Sequence, residues 1–320
     1  MQLLKTLNPI PVYNQGVAVA IGFFDGVHRG HQALLRALVE AARQRGLVSV
    51  VITFEDHPAR LFNPDAAPSW LTTQEEKLRH LEEIGIDAVH VIPFTWEVAN
   101  LSAETFCARV LCEQFHARVL VCGPDFALGR GRQGDVPFLQ AKGQVLGFEV
   151  VIAEPTVQDG DIVSSTRIRH LVQEGKVEEA RQLMGRPFLL DGVVVRGQGL
   201  GRQIGFPTVN LAPNEKKVLP ARGVYAVQAE CEGKTYPAVC NIGVRPTVGG
   251  TSLSVEFHVL DAPDFQAPAK ASLALIARLR SEQKFPSVEA LAEQIRKDVE
   301  KARQMMLLTE GTDDVDTPAK

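Results

Sequence analysis

The first half of the chain alternates short apolar runs with segments of helical periodicity. Five runs rich in Val and Ile lack polar alternation, as strands buried on both faces do: Val17–Ile21, Val48–Phe54, Ala88–Pro93, Val119–Cys122 and Phe148–Ala153. Between the first two, four apolar residues share one helix face: Leu34, Leu35, Leu38 and Ala42. The runs recur roughly every 30 to 40 residues, the length of a βαβ unit. This spacing predicts an α/β domain with a parallel sheet covered by helices.

From about residue 185 onward, the sequence no longer alternates strand-like runs with helical segments. Five segments look like strands, and no convincing helix separates them: Leu189–Arg196, Gly223–Glu230, Thr235–Ile242, Ser252–Asp261 and Ala271–Arg278. The sequence Cys-Glu-Gly-Lys at 231–234 is typical of a hairpin turn. We therefore predict an antiparallel barrel or sandwich in this half.

One amphipathic helix follows the strands. Its apolar residues repeat at helical spacing, and Ser287 is the expected N-cap: Val288, Leu291, Ile295, Val299, Ala302 and Met306. The last residues, 309–320, are polar and acidic without periodicity, so we expect a disordered tail. The predicted division is a first domain over 1–185, a second over 186–308, and this tail.

Composition limits the classes of function and location. A net charge of −4 gives no electrostatic footprint for nucleic acid or for an anionic membrane surface. The five cysteines form no C-x-x-C pair, which indicates reduced thiols in a reducing compartment. The N-terminus lacks the apolar core of a signal peptide, and no apolar run is long enough to span a membrane. We expect a cytoplasmic protein.

The segment Gly22 to His31, GFFDGVHRGH, lies where the first strand ends and the first helix begins. Open parallel sheets bind ligands at this position, glycines permit close approach to a phosphate, and helix N-termini attract anions. His28 and His31 are three residues apart, so on a starting helix their side chains share a face. This pattern favours a phosphate-binding turn. The alternative is a glycine-rich turn with two surface histidines.

A second glycine-rich segment opens the other half of the chain. Gly197, Gly199, Gly201 and Arg202 precede the run Gly205–Asn210, GFPTVN. Backbone N–H groups of such a loop can hold phosphate oxygens, and the side-chain oxygens of Thr208 and Asn210 suit Mg²⁺. From spacing alone, a barrel loop with turn glycines explains the segment equally well.

The first segment resembles a known signature. His28 to His31 resembles the H-x-G-H motif of nucleotidylyltransferases, and the longer decad is similar to the FAD synthetase branch of bacterial bifunctional riboflavin kinase/FAD synthetases. Gly123 to Gly129 (GPDFALG) and Ser164 to Arg169 (SSTRIR) resemble two further motifs of that branch. The resemblance implies that His28 and His31 bind phosphates and the transition state.

The same resemblance implies roles for further residues of the first half. Asp125 and Phe126 would belong to the flavin or nucleotide pocket. The ATP phosphates would be bound by residues of the turn and of the SSTRIR segment: Gly22, Phe23, Asp25, Ser165, Thr166 and Arg169. Hydroxyls at a helix start beside arginines suit a polyphosphate clamp, although Ser164 to Thr166 taken alone favours an ordinary N-cap.

The second half resembles the riboflavin kinase part of the same family. The match is G-x-G-x-G-R-x-x-G-F-P-T-x-N from Gly197 to Asn210, followed by NIGVRPT from Asn241 and VEFH ending at His258. This implies that Thr208 and Asn210 bind Mg²⁺ and ATP phosphates, beside the glycines of the loop and Arg202. It also implies that Glu256 is the general base. Taken alone, Glu256 is interpreted as an exposed strand residue, and the surrounding matches favour the base.

Two positions depart from the family pattern. Leu128 replaces a usual aromatic residue, and the loop after Asp261 lacks the usual D-L-Y-G. Matching resumes at Leu279–Phe285, LRSEQKF, before the final helix.

The resemblance therefore implies a two-step enzyme with ATP as co-substrate and Mg²⁺ as cofactor. The second domain would phosphorylate riboflavin to FMN, and the first would adenylylate FMN to FAD and pyrophosphate. The expected partners are riboflavin, FMN and ATP, with no nucleic acid and no membrane, and the oligomeric state is open. The alternatives are a flavin- or nucleotide-binding protein and a nucleotidyltransferase with one inactive site.

Overall fold

The computed structural model describes residues 1–5, 13–197, 201, 204–247 and 250–310, without the side chains of 245–253 and 308–310. The contacts divide the chain into two compact units, Met1–Ser165 and Thr166–Lys320. This division falls after the first residue of helix α7 (Ser165–Glu174) and before α8 (Val177–Met184), whereas the sequence-based boundary lies at 185. The contacts of α8 explain the difference, because it packs on two strands of the second unit.

The first unit contains a six-stranded parallel sheet. Its strands in chain order are β1 (Gln2–Leu4), β2 (Val17–Ile21), β3 (Val48–Phe54), β4 (Ala88–Ile92), β5 (Ala117–Cys122) and, after two short strands, β8 (Glu149–Ile152). The spatial order is β1-β4-β3-β2-β5-β8, and every neighbouring pair is parallel. The five predicted strands are thus confirmed. Strand β1 was not predicted, because three partly exposed residues give no apolar run.

Two short antiparallel ribbons accompany the sheet. They pair β6 (Ala127–Leu128) with β7 (Gly134–Asp135), and β9 (Val157–Gln158) with β10 (Asp161–Ile162).

Helices cover both faces of the sheet. In chain order they are α1 (Arg29–Arg45), α2 (Ala59–Phe62), α3 (Gln74–Ile84), α4 (Trp96–Ala99), α5 (Ala103–Thr105), a π-helical segment (Phe106–Gln114), a 3₁₀ turn (Arg130–Arg132) and α6 (Val136–Leu146). One core holds the predicted face of α1, where Leu35, Leu38 and Ala42 are buried. The opposite core holds the π-helical segment and α6.

The topology of this sheet fixes where a ligand can enter. Strand β2 pairs with β3 on one side and β5 on the other, so the chain leaves the sheet in different directions after β2 and β5. Such a switch of direction leaves a crevice at the carboxyl ends of the two strands. The two glycine-containing motifs, at Gly22 and Gly123, begin at this crevice.

The second unit is built around a closed antiparallel barrel. Its strands are β11 (Phe188–Val195), β12 (Val209–Pro213), β13 (Gly223–Cys231), β14 (Lys234–Thr247), β15 (Gly250–Val259) and β16 (Lys270–Ser281), in the order β11-β12-β15-β14-β13-β16. Of the two predicted architectures, the barrel is therefore the observed one. The predicted hairpin turn joins β13 to β14, with positive φ at Glu232 (52°) and Gly233 (76°).

The C-terminal helix (Val288–Glu310) packs against the outside of the barrel. The backbone N–H of Ala290 donates to Ser287 Oγ at 3.2 Å, which confirms the predicted N-cap. Val299, Ala302 and Met306 are buried against barrel residues. The helix extends two residues beyond the predicted end at 308, because the last turn continues through Glu310; the rest of the predicted tail, 311–320, lies outside the described residues.

All five cysteines are free thiols. Burial raises the pKa of Cys107 and of Cys122 to about 11, so both thiols are protonated at neutral pH. Within the described part of the chain, no helix is both long and apolar enough to cross a membrane.

Candidate active sites

The turn after β2 has an unusual backbone. The N–H of Gly22 donates to the Ile52 carbonyl at 3.1 Å, so the turn starts from the sheet edge. Phe24, Gly26 and Val27 then have φ of 52°, 85° and 38°. Left-handed φ at a β-branched or aromatic residue is uncommon and concentrates at functional sites. The chain bends sharply here, and helix α1 begins immediately after the bend.

Asp25 ties this turn to the segment that precedes α3. The side chain is 4% exposed, and Oδ1 accepts hydrogen bonds from the N–H groups of Leu71 at 2.8 Å and Thr72 at 3.1 Å. In return, the N–H of Gly26 donates to Thr72 Oγ1 at 3.0 Å. The Asp25 carboxylate is therefore directed at the protein's own backbone. This geometry suits a residue that holds the turn better than one that contacts ATP.

His28 and His31 lie together at the start of α1. His28 is the N-cap, and its Nδ1 accepts the backbone N–H of His31 at 3.3 Å. The two rings stack with centroids 3.7 Å apart and planes inclined by 19°. Since Nδ1 is the acceptor, the proton of neutral His28 is on Nε2. His28 is 5% exposed, so the alternative of two surface histidines does not describe it.

Ser165 connects the end of the first unit to the same turn. Its hydroxyl donates to the Asp25 carbonyl at 2.9 Å. The side chain thus contacts the Gly22–His31 turn, which distinguishes it from an ordinary helix cap. Thr166 and Arg169 follow on α7 and belong to the second unit.

The segment after β5 lies on the other side of the crevice. The N–H of Phe126 donates to the Gly123 carbonyl at 3.2 Å, which closes a tight turn. Asp125 is exposed at this edge, while the Phe126 ring packs partly against the core. Leu128, the departure from the family pattern, is buried in the core.

An exposed aromatic cluster lies at the carboxyl ends of β3 and β4. It consists of Phe54, Phe62, Phe94 and Trp96, in edge-to-face contacts. The ring centroids are 5.1 Å apart for Phe54 and Phe94, 6.2 Å for Phe94 and Phe62, and 5.4 Å for Phe62 and Trp96. Phe62 is 61% exposed and Trp96 55% exposed. Sequence analysis missed this cluster, because its members are spread over 43 positions (54 to 96) and share no periodicity.

In the second unit, oxygen-bearing side chains converge on Glu256. Thr208 Oγ1 donates to Glu256 Oε2 at 3.3 Å. The register of the barrel places Asn210 of β12 and Asn241 of β14 directly opposite Glu256 of β15. Glu256 is half-buried and lines a cavity, so it is not a solvated strand residue.

The glycine-rich loop lies against these residues. A Cβ at Gly197 would lie 1.9 Å from Asn210 Nδ2, and one at Gly201 would lie 2.3 Å from the Phe206 carbonyl oxygen. Any other residue would push the loop away from Thr208 and Asn210. Gly199 and Arg202, also predicted for this site, lie outside the described residues.

A cavity of about 340 Å³ opens beside Glu256. Its walls are mostly apolar and come from barrel strands, from the C-terminal helix and from the segments that precede β12 and that helix: Ile204, Phe206, Val224, Val239, Phe285, Leu291 and Ile295. A buried ion pair joins the two elements there, with Arg280 Nη2 and Asp298 Oδ2 2.8 Å apart. The polar group at Glu256 therefore meets an apolar chamber of the size of a small-molecule site.

A second cavity, of about 420 Å³, shares Thr208 and His258 with the first. Its outer wall is the loop after Asp261, which lacks the family's Tyr-Gly. Phe265 of this loop stacks edge-to-face on Tyr236 with centroids 5.2 Å apart. The loop thus supplies an aromatic wall through Phe265.

Two family models match consecutive parts of the chain. Residues 10–167 match the model described as FAD synthetase, and residues 184–306 match the model described as riboflavin kinase. The matches correspond to the sheet unit and to the barrel with its C-terminal helix.

Curated relatives match over nearly the full length. The Escherichia coli K12 protein named bifunctional riboflavin kinase/FMN adenylyltransferase is 40% identical over 311 residues, covering 97% of this chain and 99% of that protein. The Pseudomonas fluorescens protein of the same name is 39% identical over 306 residues, covering 95% of this chain and 98% of that protein.

A solved structure shares the whole fold. The crystal structure of a protein named macrolide-efflux protein from Streptococcus pneumoniae superposes with a TM-score of 0.86 at 31% identity, covering 94% of this chain and 98% of that chain.

The geometry of Asp25 yields a prediction about stability. Asp25→Ala leaves the buried N–H groups of Leu71 and Thr72 without their acceptor, so the free energy of unfolding of the first unit should fall by about 2–4 kcal/mol. Asp65→Ala, at an exposed position, should change it by less than about 0.5 kcal/mol. Denaturant unfolding of both variants measures the difference. Equal stabilities would contradict this role of Asp25.

Proposed function

Because the chain belongs to the family of bifunctional riboflavin kinases/FMN adenylyltransferases, we propose that its two units divide two ATP-dependent reactions between them. The protein phosphorylates riboflavin to FMN and then adenylylates FMN to FAD, with release of pyrophosphate. The observation that carries the division is that each unit has its own phosphate-directed constellation: stacked histidines at a helix start in one, and Glu256 among Thr208 and two asparagines in the other. We assign adenylylation to the domain over 1–185 and phosphorylation to the domain over 186–308.

In the first unit, a phosphate oxygen of FMN attacks the α-phosphorus of ATP and the bond to pyrophosphate breaks. Negative charge grows on the departing pyrophosphate. We assign the stabilisation of that charge to the His28 Nε2–H, the His31 ring and the backbone N–H groups at the start of α1. Ser165, Thr166 and Arg169 are assigned to the ATP phosphates, with the backbone of Gly22 and Phe23 lining the site.

The two sides of the crevice suit the two substrates of adenylylation. The exposed aromatic cluster (Phe54, Phe62, Phe94 and Trp96) offers ring surfaces on which a planar flavin can stack. On the β5 side, the carboxylate of Asp125 can accept hydrogen bonds from the nucleotide, next to the partly buried Phe126. We therefore assign the flavin to the β3/β4 side and the nucleotide to the β5 side.

In the second unit, we assign Glu256 as the general base. Its carboxylate would take the proton of the ribityl hydroxyl as that oxygen attacks the γ-phosphorus of ATP and ADP leaves. The Thr208 hydroxyl, which donates to Glu256 Oε2, fixes the orientation of the carboxylate. The apolar cavity beside it is large enough to take the flavin ring.

The donor set around Glu256 fits Mg²⁺. Thr208 and Asn210 offer hydroxyl and amide oxygens, the hard ligands that Mg²⁺ prefers. No cluster of three or more His, Cys, Asp or Glu suited to a metal occurs among the described residues, so the phosphates of ATP would complete the shell. When bound, Mg²⁺ would neutralise charge on the transferring phosphates.

The buried free thiols suit a reducing compartment, and we propose a cytoplasmic location.

His31→Ala tests the first assignment. FAD formation should be abolished while FMN formation from riboflavin is retained, because only the sheet unit loses its phosphate donor. Chromatography of flavins after incubation with riboflavin, ATP and Mg²⁺ measures both products. His170→Ala, at an exposed histidine, is the control and should form both. Equal loss of both products in His31→Ala would contradict the two-site account.

Glu256→Gln tests the second assignment. Glutamine keeps the size and the acceptor for Thr208 but cannot take the proton, so FMN formation should fall by a factor of about 100 or more. Adenylylation of supplied FMN should be unchanged. Glu230→Gln, on an exposed position of the same barrel, should leave both steps intact. Undiminished FMN formation in Glu256→Gln would refute its role as the base.

A further inference from the structure

A lysine ammonium is buried directly beside the phosphate turn. Lys77 lies on α3 and is 1% exposed. Its Nζ is 3.9 Å from the centroid of the Phe23 ring and 3.5 Å from Thr53 Oγ1. Removing an ammonium from water is costly unless strong partners replace the lost hydration. An aromatic face and one long hydrogen bond are modest partners, so the buried charge calls for a functional explanation.

Lys77 supports Phe23 in two ways. The ammonium lies over the ring itself. It also contacts the hydroxyl of Thr53, which donates to the Phe23 carbonyl at 3.2 Å. His57 contacts the same ring edge-to-face, with centroids 5.0 Å apart. Phe23 immediately precedes Phe24, the first residue of the turn with left-handed φ. Lys77 therefore stabilises the residue at which the turn begins.

The carboxylates that attract Lys77 also serve other donors. Asp25 accepts the N–H groups of Leu71 and Thr72, and Asp56 accepts from Arg60 Nε and Trp70 Nε1. Burial lowers the pKa of Lys77 to about 8, against the opposing attraction of Asp25 and Asp56. The other titratable groups of the surrounding elements are His57, Glu76, which caps α3 through Thr73, and His80, which pairs with Glu83.

We propose that Lys77 is a positioning residue for adenylylation, whose charge is matched when a nucleoside triphosphate binds to the turn. The bound polyanion adds negative charge to that of Asp25 and Asp56, which also serve other donors, and the ammonium in return keeps Phe23 and the turn in the binding conformation. In a site of low dielectric, such a charge acts strongly over short distances. This inference rests on the proposed binding of ATP at the Gly22–His31 turn.

The proposal has a defined dependence on pH. Below pH 8, Lys77 is charged in the free enzyme and ATP binds at full affinity. As the pH rises through this value, Lys77 loses its proton in the free enzyme. Binding of ATP then requires Lys77 to take up a proton from solvent, so the KM for ATP rises. ATP binding in turn raises the pKa of Lys77.

The experiment measures the KM for ATP with supplied FMN, between pH 7 and 9.5. The wild type should show a rise of roughly tenfold across this range, with kcat changed by less than about threefold. Lys77→Met should show the high KM at every pH and converge with the wild type at pH 9.5. Lys77→Arg, which stays charged, should remove the rise. Riboflavin phosphorylation should be the same in all three proteins.

Lys142→Met is the matched control. Like Lys77, Lys142 has its ammonium near an aromatic ring, with Nζ 5.9 Å from the centroid of Phe138. It pairs with the carboxylate of Glu104 and lies on α6, away from the turn. Its profile should coincide with that of the wild type. A rise of equal size in Lys77→Met, or a low KM at pH 7 in that variant, would overturn the proposal.

Two further outcomes are decisive. If Lys77→Met does not fold, the wild-type profile decides, because a KM that stays flat through pH 8 overturns the role of Lys77 without any variant. If the wild type forms no FAD from supplied FMN, the proposed function of the first unit fails, and the role of Lys77 fails with it. FAD formation with an unaffected KM refutes Lys77 alone.

Discussion

The hydrogen bonds of Asp25 are the interaction on which the first site depends. The turn after β2 takes left-handed φ at Phe24, Gly26 and Val27, a conformation that an isolated loop would not keep. The Asp25 carboxylate fixes it by accepting two backbone N–H groups from the segment that leads into α3. Because the turn is fixed, His28 caps α1 and stacks on His31. The same segment positions α3, which carries Lys77 under Phe23.

In the barrel, strand register brings the site residues together. Asn210, Asn241 and Glu256 are far apart in sequence, yet β12, β14 and β15 are neighbours and bring the three residues side by side. Thr208 then orients the carboxylate, and the loop glycines come close enough to cover Thr208 and Asn210. In the first unit the proposed phosphate-binding groups lie at a helix N-terminus, and in the second they lie on neighbouring strands. We therefore regard the two proposed ATP sites as structurally unrelated.

Much of the fold could be predicted because its signals are local. Buried parallel strands give uninterrupted apolar runs, and a hairpin turn needs Gly beside another left-handed residue, as at Glu232–Gly233. The spacing of His28 and His31 likewise predicted a shared face. Strand β1 was missed because three partly exposed residues carry no pattern.

The remaining features depend on tertiary contacts. Lys77 was missed because nothing in a polar helix sequence marks one lysine as buried. The aromatic cluster forms only when β3 and β4 are neighbours, and the inward orientation of Asp25 depends on a segment more than 40 residues away. The flavin itself came from the family resemblance, since spacing alone indicates only phosphate.

The central claim, that one chain holds two independent active sites, is tested most directly by mixing two variants. His31→Ala and Glu256→Gln are incubated together with riboflavin, ATP and Mg²⁺, and the flavins are separated. The account predicts that the mixture forms FAD, because FMN made by one variant is adenylylated by the other, while a chain carrying both substitutions forms no FAD. Failure of the mixture of folded variants to form FAD, or formation of FAD by the doubly substituted chain, would contradict it.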